Sequence, residues 1–388
     1  MKLVVIGAGA AGTAAAWFLA RGGAKVTLVH DRAGATALYS GALDLTPWTE
    51  HAPPLVLDPD LSAFAAALTG WALGPKPCRI ATRSGALRPA AGRAAALLDL
   101  EPLAGRRIAV ADVDRDEWDA RLVAQALSAS PWAARTGTRF EAVRVRALRG
   151  GHERRIALYD FAQLHDAAER ADDFAEQLRK TTNGHDAWLV GPWLGTEPSS
   201  IERIRAAVKL PLGEINSPPG GPAGARFELA RDRLLAAQKV EILNARVSAL
   251  HTGPNQVRVE LVEKPALEAD AAVLAIGGVV AGGLRLSGGV GSRATVELCF
   301  SASLPLSLDG HTFDAPSTLH GVDFQAHGLR TLERIGVATD GARVHGERAL
   351  FAAGDVVAAR PRTVLEAVRS GIAAARAALG SRLLTPAQ

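Results

Sequence analysis

Cysteine, methionine, tyrosine and lysine are nearly missing from this chain. Its 388 residues hold 2 cysteines, 1 methionine, 2 tyrosines and, among 44 basic residues, only 7 lysines. Two cysteines as distant in sequence as Cys78 and Cys299 cannot supply a four-thiolate iron–sulfur or zinc site, and there is no CxxC pair for redox chemistry. Two free thiols in a reducing cytoplasm are expected, with a single disulfide as the alternative. The 10 histidines are scattered, none at i, i+4 with a carboxylate in a metal-binding pattern, so no metal is expected. No uninterrupted apolar run reaches the length of a membrane span. No run of like charges forms a basic arm, and the excess of arginine over lysine reads as genomic base composition, so nucleic-acid binding is not expected. Neither a nucleophile elbow nor a Ser-His-Asp spacing occurs.

What is present suits a large soluble α/β chain. Hydrophobic residues make up 48% and the formal net charge is +4, with enough length for two or three domains. The opening MKLVVIGAGAAGTAAAWFLA has the look of a signal peptide, but its three spaced glycines and the strand pattern that follows argue against export. Residues 2–6 read as a strand, 13–21 as an Ala-rich helix stopped by Gly22-Gly23, and 25–29 as a second buried strand. Between the first strand and the helix stands Gly7-Ala8-Gly9-Ala10-Ala11-Gly12, the G-x-G-x-x-G fingerprint in the βαβ context it requires. Gly7 permits the tight turn, Gly9 lets a pyrophosphate approach the backbone, and Gly12 lets the helix pack on the strand. The helix N-terminus then faces the phosphates.

Further along, helical patches are expected at 61–69 and 92–100. Strand–helix alternation runs from Arg107 to about Val208, with one long polar helix over 159–180, and suggests an inserted parallel α/β unit. Ser217-Pro218-Pro219-Gly220-Gly221-Pro222 marks a turn or linker. The expected organisation is therefore a Rossmann-type α/β nucleotide-binding domain in two parts, 1–104 and 216–388, around an inserted smaller α/β domain at 105–215.

The residue that normally reads the adenosine ribose is an acid ending the second strand. Here His30 holds that place and Asp31 follows; Arg32 is the only basic residue near enough for a 2′-phosphate, so NADP is disfavoured. At the other end, Leu350-Phe351-Ala352-Ala353-Gly354-Asp355 makes a strand-to-helix passage after Thr339-Asp340-Gly341. Asp355 there can accept hydrogen bonds from a polyol, and the helix beginning near Thr363 can face a developing anion. This pattern resembles the C-terminal motif of FAD-dependent enzymes of glutathione-reductase type. In the same family, segments such as 270–278, with Ile276, Gly277 and Gly278, precede the final lobe, and backbone such as that around Val247 recognises adenine.

A narrower resemblance lies in Ser40-Gly41-Ala42-Leu43-Asp44-Leu45. It is similar to the Ser-Gly-x-Leu-Asp-Leu segment in the smaller flavoprotein subunit of anaerobic glycerol-3-phosphate dehydrogenase. The segments at 107–110, 273–284 and 335–340 resemble that family in the same order, so the likeness spans about the whole chain. It implies a flavin subunit, with FAD expected from the motifs and FMN the lesser expectation, and Ser40 and Gly41 near the cofactor. It implies a second, larger flavoprotein subunit and an iron–sulfur subunit as partners. It further implies oxidation of sn-glycerol 3-phosphate with electrons passed towards quinone. The chain would be cytoplasmic, associated with the membrane only through those partners.

The sequence departs from that family where Val356–Thr363 replaces a glycine-rich stretch. Arg360 and Arg362 fall there, either to bind an anionic substrate or to face a partner. His320 and His327 are weak candidates for a general base, with exposed loop histidines as the plainer reading. A self-sufficient flavin oxidase or dehydrogenase of a small amine or hydroxy acid, and a non-catalytic flavin-binding scaffold, remain open alternatives.

Overall fold

The computed structural model describes residues 1–46, 58–287, 293–320 and 333–380. The first βαβ unit is strand Lys2–Ile6, helix Ala10–Arg21 and strand Lys25–His30. Around it, five parallel strands make up most of a seven-stranded sheet, running from one edge in the order Glu241–Asn244, Lys25–His30, Lys2–Ile6, Ala271–Leu274 and Leu350–Ala352. Two short antiparallel strands, Arg343–Val344 and Thr339–Asp340, close one edge. Numbered in chain order the parallel strands run 3-2-1-4-5, a Rossmann-type order whose reversal lies between Lys2–Ile6 and Ala271–Leu274. A three-stranded antiparallel meander, Val247–Ala269 in extent, fills the crossover into Ala271–Leu274. The class is the α/β fold expected from the motifs.

Helices Ala10–Arg21 and Val364–Gly380 pack side by side over this sheet. Their approach depends on small residues: a Cβ on Gly371 would lie 2.2 Å from the Ala11 carbonyl oxygen. Val5, Leu28, Val273 and Phe351, all fully buried, sit at the centre of this core. No helix among the described residues is long and apolar enough to cross a membrane.

A second sheet has four parallel strands in the order Arg139–Arg144, Arg107–Asp112, Ala187–Val190 and Leu212–Glu214. In chain order this reads 2-1-3-4, and it has a hydrophobic core of its own, built on Ile108, Val110, Trp188 and Leu189. Both cysteines are free thiols.

Two elements differ from the sequence expectation. Residues 92–100 are not helical: strand Leu87–Ala94 pairs antiparallel with Trp71–Ala81. Ala94 is a buried strand residue and Ala95-Ala96 turn the chain after it, and Gly92 is needed because a Cβ would lie 2.4 Å from Leu73 Cδ2 and 2.9 Å from the Ala72 oxygen. Tertiary pairing overrides the helical propensity of the Ala-rich run. The long helix over 159–180 is broken into Leu158–Leu164 and Ala168–Thr181. At the break His165 turns inward and its Nδ1 shares a 2.8 Å hydrogen bond with the Trp193 carbonyl oxygen. Asp166 accepts from the Thr196 and Glu197 backbone N–H groups at 2.9 and 3.0 Å. The backbone N–H groups of His165 and Asp166 tighten to i→i−3 bonds with Ala162 and Gln163, at 3.0 Å each, while their side chains take the long-range partners.

His165 is fully buried among Phe161, Phe174 and Trp193, and burial, aided by the nearby Arg170 charge, pushes its pKa down to about 4. An unfolded histidine titrates near 6.5, so the folded chain resists a proton that the unfolded chain takes up. The stabilisation is complete above the unfolded value and is lost as pH falls from there towards the folded one. The expected loss is about 3 kcal/mol over that interval. Chemical denaturation at closely spaced pH values measures it, and His165→Phe should flatten the slope above pH 4 while lowering the plateau.

Candidate functional site

The carboxyl ends of the parallel strands open into a cleft of about 510 Å³ at the point where strand order reverses. This is where ligands sit in open α/β sheets. One wall is the turn after the first strand. Gly7 has φ +110°, a left-handed conformation, and a Cβ there would fall 2.2 Å from the Ala275 oxygen. Gly7, Ala8, Gly9, Ala10 and Ala11 line the cleft. Gly12 does not; it lies beneath the turn, where a Cβ would meet the Gly7 oxygen at 1.8 Å. Gly9 is different in kind. A Cβ there would touch only Thr36 Oγ1, at 3.4 Å, so the space above Gly9 is open to a ligand.

Helix Ala10–Arg21 points its N-terminus at this space with no side-chain cap from Gly9. Its first-turn N–H groups lack intrahelical acceptors and favour an anion. One of them, from Ala10, is taken by Thr36 Oγ1 at 3.0 Å. That hydroxyl keeps its own proton for a ligand oxygen. Thr36 stands just ahead of the Ser40–Leu45 segment that carries the sequence resemblance, and nothing in its spacing marks it as a partner of the glycine turn. The structure also brings Tyr39 to the cleft wall, where burial pushes its phenol up to about 12 and keeps it neutral.

The adenosine-reading positions fall at one end. His30, Asp31 and Arg32 line the cleft together with Val247. Arg32 Nη2 donates to the Gly282 carbonyl at 3.1 Å, and its Nε lies 3.8 Å from Asp31. Nδ1 of His30 is buried without a protein partner. Ile276 and Gly277 also line the cleft, whereas Gly278 packs beneath Asp355, whose carbonyl oxygen a Cβ would meet at 2.7 Å. Ser40 and Gly41 do not line it: the Ser40 carbonyl accepts a backbone hydrogen bond from Ser217, and that of Gly41 from Ala94.

At the far end are Gly354 and Asp355. The Gly354 N–H donates to Ser370 Oγ at 2.8 Å, which fixes the turn on helix Val364–Gly380. The Asp355 carboxylate faces the cleft, and among the described residues no side chain or N–H donates to it. Burial raises its pKa above the usual carboxylate range, against the pull of the Arg362 guanidinium. A desolvated carboxylate of this kind lacks hydroxyl or N–H donors, which a polyol in the cleft would supply.

Arg360 and Arg362 are not a free pair. Arg360 Nη1 donates to Glu366 at 2.9 Å. Arg362 lines the cleft, but it donates to the Val357, Ile335 and Glu333 carbonyls at 2.9, 2.9 and 3.2 Å and so ties the last lobe together. The helix N-terminus expected to face a developing anion is partly committed: the Leu365 N–H donates to the Asp44 carbonyl at 3.2 Å, and Glu366 N–H to Thr363 Oγ1 at 3.4 Å. His320 ends strand Ser317–His320, in register with Arg293 on a small peripheral sheet. His327 lies outside the described residues. No group of histidine, cysteine and carboxylate side chains among the described residues is arranged to hold a metal ion.

Residues 1–53 match the family model of pyridine nucleotide-disulphide oxidoreductases. No curated protein sequence matches the chain. Among solved structures it is similar to glycine oxidase from Geobacillus kaustophilus, at 12% identity and a TM-score of 0.37, covering 98% of this chain and 95% of that one. Iminodiacetate oxidase from Chelativorans sp. BNC1 is 15% identical with a TM-score of 0.33, covering 100% and 96%. A flavoprotein/dehydrogenase from Cytophaga hutchinsonii is 11% identical with a TM-score of 0.38, covering 100% and 80%. Likeness at this level assigns no activity.

Proposed function

We propose that this chain is a flavin-dependent oxidoreductase that holds FAD in the cleft at the strand-order reversal. The observation that carries the reading is the pair of facing features across that cleft. On one side is a glycine turn with open space above Gly9 at a helix N-terminus; on the other is the donor-hungry carboxylate of Asp355. The first suits a pyrophosphate and the second the hydroxyls of a ribityl chain. The bound flavin would supply hydride and electron transfer. The chain's own part is to orient it. Thr36 and the helix N-terminus hold the phosphates, Asp355 anchors the polyol, and the wall formed by Tyr39, Val364 and Ala367 limits water.

The finer reading is a subunit of a glycerol-3-phosphate dehydrogenase-like complex. It would work with a second flavoprotein subunit and an iron–sulfur subunit and reach the membrane through them. The Ser40–Leu45 segment supports it, as does the scarcity of thiols for any electron relay within this chain. The purified chain should be yellow, and co-expression with a cysteine-rich partner should yield a stable complex. A colourless chain that added FAD cannot reconstitute would overturn the flavin reading. A chain that oxidises a small amine or hydroxy acid alone, with a soluble acceptor, would favour the self-sufficient oxidase.

Asp355→Ala tests the polyol anchor. It is expected to weaken FAD about ten- to a hundredfold, the scale of lost hydrogen bonds to a charged group. Because the ionised carboxylate is the better acceptor for hydroxyls, wild-type affinity should fall as pH is lowered into the raised range of Asp355, and the variant should not show that fall. Titration of the apoprotein with FAD across weakly acidic pH reads both effects.

A further inference from the structure

We propose that Arg231 is a positioning residue of the glycine turn: it draws the Ala8 carbonyl away from the cleft so that the turn offers a pyrophosphate only N–H groups. The proposal rests on the dinucleotide reading above.

Arg231 stands on helix Pro222–Ala237, 223 residues from the turn it touches, and is only 5% exposed. Its Nη1 donates to the Ala8 oxygen at 3.2 Å, and its Nε to Asp232 at 2.8 Å; Glu228 lies 3.7 Å away. The two acids are partly exposed and could pair with a solvated arginine at the surface. Burying a guanidinium is costly unless its donors are used. Here the buried donor is spent on one carbonyl of the turn.

The other carbonyl is treated in the same way. Thr13 Oγ1 donates to the Gly9 oxygen at 2.9 Å and lies 3.4 Å from that of Ala8. The carbonyl oxygens of Ala8 and Gly9 are thus held from the protein side, that of Gly9 also by the Thr13 N–H at 2.9 Å. A carbonyl left facing the cleft would set its negative end against a phosphate oxygen. Tied back, the Ala8–Gly9 peptide unit presents its N–H end to the cleft, while the N–H of the Gly9–Ala10 unit is given to Thr36 Oγ1, whose own proton faces the ligand space.

The helix that carries Arg231 is also seated against the opposite flank of the phosphate space. Gly224 packs so closely on the turn at 35–38 that a Cβ would lie 1.9 Å from the Ala37 oxygen. That turn carries Thr36, whose hydroxyl takes the Ala10 N–H. One helix therefore braces both sides of the site, and Arg231 is its only direct bond to the glycine turn among the described residues.

The test is titration of apoprotein with three probes: FAD, ADP (which carries a pyrophosphate without flavin) and riboflavin (flavin without phosphate). Melting temperatures of the apoproteins are measured alongside. Arg231→Met is expected to weaken FAD and ADP by the same factor, about ten- to a hundredfold, and to leave riboflavin unchanged. Arg231→Lys keeps one donor and should recover most of the loss. Thr13→Val, a smaller change, should weaken FAD and ADP in the same direction and serves if Arg231→Met does not fold. The proposal is overturned if Arg231→Met binds FAD as the wild type does, if riboflavin weakens in step, or if lysine rescues nothing. It is also overturned if Thr13→Val leaves FAD and ADP unaffected. A wild-type chain that binds neither FAD nor ADP overturns the dinucleotide reading and this proposal together.

Discussion

Replacing Gly9 with valine should abolish cofactor retention, an affinity loss of at least about a hundredfold, in a protein that still folds. The backbone at Gly9 has φ −73° and ψ −173°, extended values that any residue adopts. The nearest atom to an added Cβ is Thr36 Oγ1 at 3.4 Å, an ordinary contact. Nothing in the fold requires glycine there; a pyrophosphate over the turn would. Gly12→Ala is the control with the opposite character. Its Cβ would meet the Gly7 oxygen at 1.8 Å and the Gly7 carbonyl carbon at 2.9 Å, both backbone atoms that cannot step aside. That variant should lose more than about 4 kcal/mol and fail to accumulate as folded protein. Absorbance of bound flavin and thermal melting, measured together, separate the two. Equal melting with retained flavin in Gly9→Val would mean that no phosphate lies over the turn.

Glycines of such different character are nonetheless legible together in the sequence. The order strand, G-x-G-x-x-G, helix, strand carries its own geometry, because Gly7 and Gly12 answer steric demands of the local fold and Gly9 leaves room above the turn for a ligand. Asp355 is legible for a related reason: an acid directly after a buried strand and a glycine is placed by the strand itself. Long-range partners are not legible. Arg231 reaches Ala8 across 223 residues, and no spacing rule connects a helix arginine to a distant carbonyl. The hairpin of Trp71–Ala81 with Leu87–Ala94 escapes a local reading because alanine and glycine at 90–92 favour helix or turn, while the partner strand decides the outcome. Arg362 looks available for an anion because sequence gives a side chain's charge and not what it is spent on; three carbonyls take its donors.

The same limit applies to Glu214, whose removal should be the most damaging single change in the second sheet. Glu214 ends strand Leu212–Glu214 and is 1% exposed, with its carboxylate wholly inside the protein. It accepts from Arg226 Nη1 at 2.6 Å, from Arg226 Nη2 at 2.7 Å and from the Leu194 N–H at 2.6 Å. Arg226 belongs to helix Pro222–Ala237, which packs against helix Ala10–Arg21 of the seven-stranded unit, and its Nε donates to the Gly195 carbonyl at 2.8 Å. Burial works against the Arg226 charge, yet the Glu214 carboxylate holds its pKa above the usual value. The pair therefore fastens the four-stranded unit to the helix that also touches the glycine turn. Glu214→Ala would leave the guanidinium buried and unpaired and the Leu194 N–H without its acceptor. Breaking a buried pair from one side costs about 3–5 kcal/mol. Glu214→Gln, which keeps the acceptor for Leu194 but not the charge, should cost less. A double variant, Glu214→Leu with Arg226→Met, should recover much of the stability, because both desolvated charges go together. Denaturant unfolding of the four proteins decides it: a Glu214→Ala loss below about 1 kcal/mol would place the pair among ordinary surface bridges.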